Sequence, residues 1–245
     1  CGKLKLTLES VFKQVADNER CEVIVINNGS TDDTVLICEQ YKLQYSNFRY
    51  FYAEKPGLHV GRNAGLLKSR GSIVAYLDDD VILYPNWLET VLKVFEDEKV
   101  SAACGCVVPY DFSILPDTLW KYKCRIDGFE VLLPISCFWQ RGINENVETT
   151  REVRPELIFG ANAIYRKSVL EECKGFHPDG MPKDLLMYRG DGETYIANWL
   201  RVNKAKVVYN SQISVYHMID GERVDDSYLT YMFYRNGISA MYTCL

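Results

Sequence analysis

The stretch Ser72-Ile73-Val74-Ala75-Tyr76-Leu77-Asp78-Asp79-Asp80 decides how the rest of the chain is read. An apolar run of strand length ends in three consecutive carboxylates. Adjacent acids repel one another, and a strand end has no structural need of them. A hard cation takes oxygen ligands and offsets that repulsion, so the run points to a divalent metal that bridges to phosphates. A solvated acidic turn is the plain alternative. Val81-Ile82-Leu83-Tyr84 resumes the apolar character, and Pro85 suits the first position of a helix. That helix is expected over 86–98, with Trp87, Leu88, Val91, Leu92 and Phe95 on one face.

Upstream, strands and helices alternate. Leu4, Leu8, Val11, Phe12 and Val15 have helical spacing. Residues 21–26 form a nearly unbroken apolar run, as in a buried parallel strand. The run ends at Asn27-Asn28-Gly29-Ser30-Thr31-Asp32-Asp33-Thr34, where Ser30 with Asp33 fits a capping box for a helix to about Gln44. A second strand is expected over 48–53, a helix over 59–69 carrying Arg62-Asn63, and a fourth strand over 100–108. This rhythm predicts a mostly parallel sheet with helices on both faces. In such a sheet Asn27-Asn28, Arg62 and Asp78 to Asp80 meet along one edge, at the carboxyl ends of the strands.

Downstream the rhythm breaks. Residues 109–155 hold Trp120, Tyr122, Phe129, Phe138 and Trp139 among prolines and glycines. Such an insertion covers a site, binds an acceptor, or packs as a satellite core. Order returns at 156–166 with a strand interrupted by Gly160, a residue that suggests close approach of a ligand or another backbone. Asp191-Gly192-Glu193 precedes a helix over 194–202. Acids at a helix start are favoured by its dipole, but the flanking glycines also leave them open to an incoming group. His217 follows a short strand at 213–216; it is either a structural histidine or a ligand of the suspected metal. The tail over 224–245 reads as a Tyr-rich amphipathic helix that packs on the body or meets a membrane surface or partner.

The composition is that of an ordinary globular chain: 245 residues, 47% hydrophobic and 25% charged. A net charge of -5 without a basic block argues against a nucleic-acid partner. None of the nine cysteines lies in a CxxC pair, which suits reduced core residues in a cytoplasmic protein. No apolar stretch approaches the ~20 residues of a membrane span, and no signal peptide is evident. The chain opens in a helical pattern without Met, as a fragment would.

The ordered motifs resemble the nucleotide-sugar-binding GT-A fold of the family 2 inverting glycosyltransferases. They are Val23 through Thr34, Gly61-Arg62-Asn63-Ala64-Gly65, Tyr76-Leu77-Asp78-Asp79-Asp80, Phe159-Gly160-Ala161-Asn162-Ala163, Gly175-Phe176, Gly190-Asp191-Gly192-Glu193-Thr194 and Tyr234-Arg235-Asn236. The resemblance covers most of the chain outside 109–155. It implies a single domain over 1–245, with a nucleotide-sugar-binding half at 1–108, the insertion at 109–155 and an acceptor-binding half with the C-terminal helix at 156–245. The family's opening strand has no counterpart before Cys1.

The resemblance also implies roles. Asn27 and Asn28 hold the base and ribose of the donor, Arg62 the base or a phosphate, and Asp78 and Asp79 the ribose or donor sugar. Asp80 holds Mn2+ or Mg2+, with His217 as a later metal ligand. Glu193 is the general base, and Asp191 is the alternative, because this chain has Asp-Gly-Glu where the family usually has Glu-Asp. The expected reaction is metal-assisted, inverting transfer from a UDP-sugar or related donor to a hydroxyl of a glycan, lipid-linked or small-molecule acceptor. The setting is cytoplasmic, with a membrane contact through the tail. Two rivals remain at this point: a nucleotidyltransferase, which would carry a Gly-rich phosphate loop, and a non-catalytic sugar- or partner-binding module, which would not need Asp191 or Glu193.

Overall fold

The computed structural model describes residues 2–16, 18–55, 57–132, 135–140, 147–177 and 192–243, with the backbone alone for 235, 236 and 239–243. It is a mixed α/β fold in which helices flank central sheets. Helix α1 (Gly2–Val15) buries Leu4, Leu8, Val11, Phe12 and Val15, the face its periodicity predicts. Strand β1 (Val23–Asn27) pairs in parallel with β2 (Phe48–Tyr52), and α2 (Thr34–Gln44) crosses between them. Helix α3 (Leu58–Lys68) leads to β3 (Ile73–Leu77), the strand that ends in the acids. β4 (Val81–Leu83) and α4 (Trp87–Val94) follow. Two hydroxyls on α1 bind the edge of β4: Thr7 Oγ1 accepts from the Val81 amide at 3.1 Å and Ser10 Oγ from the Leu83 amide at 3.3 Å.

The expected capping box does not form. Ser30 is exposed, and its amide donates to Asn27 Oδ1; it is Asp32 Oδ1 that accepts from the Thr34 amide and hydroxyl. Asn27 reaches the turn amide first, and Asp32 closes an Asx-type turn one residue away from the predicted partner.

The expected strand over 100–108 is two strands. β5 (Val100–Cys104) and β6 (Val107–Pro109) enter different sheets. The break falls at Gly105-Cys106, where a Cβ on Gly105 would lie 2.2 Å from the Ile213 carbonyl. That contact brings in the later chain, whose strands split in step. The insertion contributes β7 (Cys124–Ile126), β8 (Phe129–Leu132), β9 (Cys137–Trp139) and β10 (Thr150–Glu152). β11 (Asn162–Arg166), α5 (Lys167–Glu172), α6 (Glu193–Val202), β12 (Lys206–Asn210), β13 (Val215–His217) and α7 (Asp226–Thr243) complete the order.

One sheet runs β10-β12-β5-β11-β3 and another runs β4-β13-β6-β9-β8-β7. β12 pairs in parallel with β5 and β13 with β6, so each half of the split run keeps its own partner. Among the described residues parallel pairing is limited to these two and β1–β2. The other ladders are antiparallel, so the sheets are mixed and not mostly parallel as the alternation suggested. β11 returns antiparallel between β3 and β5, and the insertion adds hairpins. Phe129, Val131, Leu132 and Phe138 of the insertion are fully buried, so much of this segment is core. β1 and β3 each leave one edge without a ladder partner among the described residues, facing shared cavities of about 290 and 500 Å3.

Candidate active site

Four elements deliver side chains to one place. β3 ends at Leu77, so Asp78 leaves its carboxyl end. Residues Asp79 and Asp80 form the turn into β4. β13 ends in His217, whose neighbour Met218 donates its amide to the Asp80 carbonyl at 2.8 Å. That bond pins the acidic turn to the histidine.

Asp78, Asp80 and His217 each bring one donor atom within 4.8 Å of the others. His217 is 1% exposed, and its Nε2 lies 3.2 Å from Asp80 Oδ1 without making an aligned hydrogen bond. Its Nδ1 is 3.6 Å from the buried Cys137 Sγ. A buried ring nitrogen with no aligned partner, beside two carboxylates, suits a divalent cation. Two carboxylates and an imidazole would hold Mn2+, or Mg2+ with the imidazole as the poorer match. Burial and the charge of Asp80 push the Asp78 carboxyl up, with Arg62 opposing. Burial pushes Asp80 up as well, but His217, Arg223 and Lys3 outweigh it and hold that carboxyl below its ordinary value. Asp79 is exposed and lies outside the cluster.

Arg62 joins this cluster to the candidate base. Its guanidinium is buried, with Nη1 2.8 Å from Glu193 Oε1 and Nη2 3.8 Å from Asp78 Oδ1. It also lies 5.4 Å from the centre of the Phe176 ring. Glu193 opens α6 directly after Gly192, which has φ +85°. Gly160 lies under the pair: a Cβ there would come within 1.6 Å of Glu193 Oε1 and 1.9 Å of Arg62 Nη2. Gly160 is expected from the sequence to admit a ligand or another backbone; what approaches it among the described residues is this side-chain ion pair. Asn63 steadies the arginine's helix, donating to the Phe176 carbonyl at 2.7 Å and accepting from its amide at 2.8 Å.

Asn28 lines the same cavity as Arg62, Asp78 and Gly160, but the side chains of Asn27 and Asn28 bind protein. Asn27 donates to Tyr50 Oη and accepts from the Ser30 amide. Asn28 donates to the carbonyls of Ala53 and Lys55 and accepts from the Gly57 amide. They shape the turn from β1 to α2 and the loop between β2 and α3. Asp191, the other candidate base, lies outside the described residues, as do the side chains of Arg235 and Asn236. Lys3, Cys137 and Arg223 were missed by sequence reasoning. No spacing pattern ties them to the acids, and only the tertiary contacts do.

The chain matches the family model "Glycosyl transferase family 2" over residues 2–174. It is 24% identical over 245 aligned positions to a glucosyl-dolichyl phosphate glucuronosyltransferase of Haloferax volcanii, covering 95% of this chain and 70% of that one. It is 36% identical over 101 residues to glycosyltransferase AglE of the same organism, 41% of this chain and 33% of AglE. A crystal structure of Staphylococcus aureus TarS 1-349 superimposes with TM-score 0.61 at 17% identity, over 88% of this chain and 56% of that one. The mannosyltransferase PcManGT of Pyrobaculum calidifontis, solved with GDP-Man and Mn2+, gives 0.59 at 19% identity, over 89% and 54%. The chain thus spans little more than half of these solved chains. Both share the fold, which is GT-A. The family match takes in the strand-end acids, Arg62 and Gly160, and by it the chain belongs to the family 2 glycosyltransferases.

Proposed function

We propose that the chain transfers a sugar, with inversion, from a nucleoside diphosphate donor to an acceptor hydroxyl, UDP-sugars being the first donors to test. The observation that carries this reading is the Arg62 bridge: one buried guanidinium reaches both Glu193 and Asp78. A candidate base and a candidate cation cluster therefore share one edge of the fold. Relatives support a nucleotide-sugar donor, since TarS was solved with UDP and PcManGT with GDP-Man.

Asp78, Asp80 and His217 would hold the cation. Bound there, it supplies Lewis-acid stabilisation of the negative charge that grows on the leaving diphosphate. Glu193 would take the proton of the acceptor hydroxyl through Oε as that oxygen bonds to the anomeric carbon. The bond from that carbon to the diphosphate oxygen breaks, and its electron pair leaves with the phosphate. Attack opposite the leaving group inverts the centre in one step. Arg62 would hold the Glu193 carboxylate in line for that transfer. Asp79, exposed beside the cluster, and the loop shaped by Asn27 and Asn28 would contact the donor.

The test is nucleoside diphosphate release from UDP-, GDP- and dTDP-sugars with Mn2+, followed by proton NMR of the transferred sugar's anomer. Glu193→Gln and Asp80→Asn should each reduce release by about 10³-fold. Unchanged release by Glu193→Gln, or a retained anomer, overturns the reading.

A further inference from the structure

Asp80 has more cationic neighbours than its place in a cation cluster would lead one to expect. Arg223 Nη1 lies 3.3 Å from Asp80 Oδ2, and Lys3 Nζ is 3.9 Å from the same oxygen. Both arrive from far along the chain. Lys3 is on α1, where it also binds Asp220 at 2.7 Å and the Met218 carbonyl. Arg223 sits on a short turn, Gly221–Val224, just before α7. Buried Val224 anchors that turn. Arg223 Nε reaches Tyr228 Oη at 3.4 Å. The Arg223 side chain keeps 35% of its surface exposed, against 12% for Asp80. The arginine thus has open space beside it, and the aspartate does not.

A divalent cation would be the third positive group on Asp80, beside Lys3 and Arg223. It would compete with them for the charge of one carboxylate, and like charges at that range repel in a partly buried site. That repulsion favours a shift of Arg223, the more exposed of its close partners, toward an anion. A planar, forked guanidinium matches phosphate oxygens, and a diphosphate arriving with the metal would supply the missing negative charge.

We propose that Arg223 is an exchangeable counterion: it neutralises Asp80 when the cation is absent and moves to the donor's diphosphate when cation and nucleotide bind together. This rests on the cation-assisted reading given above. Lys3, held by Asp220 and a carbonyl, stays and does not exchange. The device makes the cation alone a weak ligand and couples its binding to that of the nucleotide.

Binding measurements test it without turnover. Mn2+ alone is titrated by electron paramagnetic resonance into the wild-type chain, Arg223→Gln, Arg223→Lys and Asp80→Asn. UDP and GDP are then titrated with Mn2+ saturating, and circular dichroism checks that each variant is folded. Arg223→Gln should bind Mn2+ alone roughly fivefold more tightly, having lost the competitor. It should bind the diphosphate preferred by the wild type about 10- to 100-fold more weakly. Arg223→Lys keeps the charge but not the fork, so Mn2+ binding should stay near wild type while nucleotide binding falls. If Arg223→Gln shifts neither constant, or weakens Mn2+ binding alone, the exchange is wrong. If Asp80→Asn binds Mn2+ as the wild type does, the cation-assisted reading fails and the exchange with it. Loss of Mn2+ in Asp80→Asn alongside an unmoved Arg223→Gln overturns the exchange alone.

Discussion

Gly160→Ala isolates the geometry of the Glu193–Arg62 pair from the chemistry of either residue. Gly160 has an ordinary negative φ, so alanine meets no backbone strain, and the loss of chain freedom in the unfolded state even favours folding by about 0.5 kcal/mol. The obstacle is local. The new methyl would start 1.6 Å from Glu193 Oε1 and 1.9 Å from Arg62 Nη2. Both are side-chain ends and can retreat, but reaching ordinary van der Waals separation takes a shift of about 2 Å. A displacement of 1 Å in a reacting group can cost about 10²-fold, so turnover should fall by about 10² to 10³, or about 3–4 kcal/mol of barrier. The assay is nucleoside diphosphate release with the best donor, run beside thermal unfolding and the Mn2+ titration. Turnover should collapse while the chain still unfolds cooperatively and binds Mn2+, at a melting temperature lowered by disruption of the buried pair. Full activity in Gly160→Ala would show that Glu193 need not sit where it does, and the base assignment would go with it.

Gly105→Ala should behave in the opposite way. Its Cβ would fall 2.2 Å from the backbone of Ile213, which cannot swing aside as a side chain can. Destabilisation on the order of 3 kcal/mol should appear as a lowered urea midpoint; a wild-type midpoint would contradict the packing of this corner. The third prediction concerns pH. Burial and the Asp80 charge raise the Asp78 carboxyl, and a metal ligand must be deprotonated. Mn2+ affinity should therefore fall on acidification from a pH above the ordinary carboxylate value of about 3.9. The linked effect on stability has the opposite sign to that of a salt-bridged acid. The native state holds this proton more tightly, so ionising Asp78 costs stability as pH rises from the ordinary value through the raised one. A Mn2+ affinity that stays flat as the pH falls to the ordinary carboxylate value of about 3.9 would remove Asp78 from the ligand set.

The insertion shows where sequence patterns stop being informative. Its aromatics gave no period, and three uses for it stayed open. In the fold Phe129 packs edge-on against Phe138 and Tyr209 at 5.5 and 4.7 Å, and Arg151 stacks over its ring at 4.4 Å. Phe138 is close in sequence, but Arg151 and above all Tyr209 are far from Phe129, so no short window of sequence contains the whole cluster. The tail is similar. Tyr231, Phe233 and Tyr234 of α7 are exposed, while Leu229 is buried. Phe233 meets Tyr122 of the insertion at 4.4 Å. No helix among the described residues is long and apolar enough to cross a membrane.

Much of this protein was legible from short-range order alone. The apolar runs at 23–27 and 73–77, the spacing within α1 and α4, the glycine under the future ion pair and the acids at a strand end all express local constraints: backbone sterics, periodicity and charge repulsion between neighbours. What the tertiary structure alone decided is which distant groups share a carboxylate. Arg223 is 143 positions from Asp80, and Lys3 is 215 positions from the Met218 carbonyl it binds. The split of 100–108 into two sheets, the occupation of the Asn27 and Asn28 side chains by Tyr50 and loop backbone, and the entry of Asp78 into the cation cluster are of the same kind. Each depends on which surfaces meet once the sheets stack. That outcome is set by burial summed over the whole core, and no local stretch encodes it.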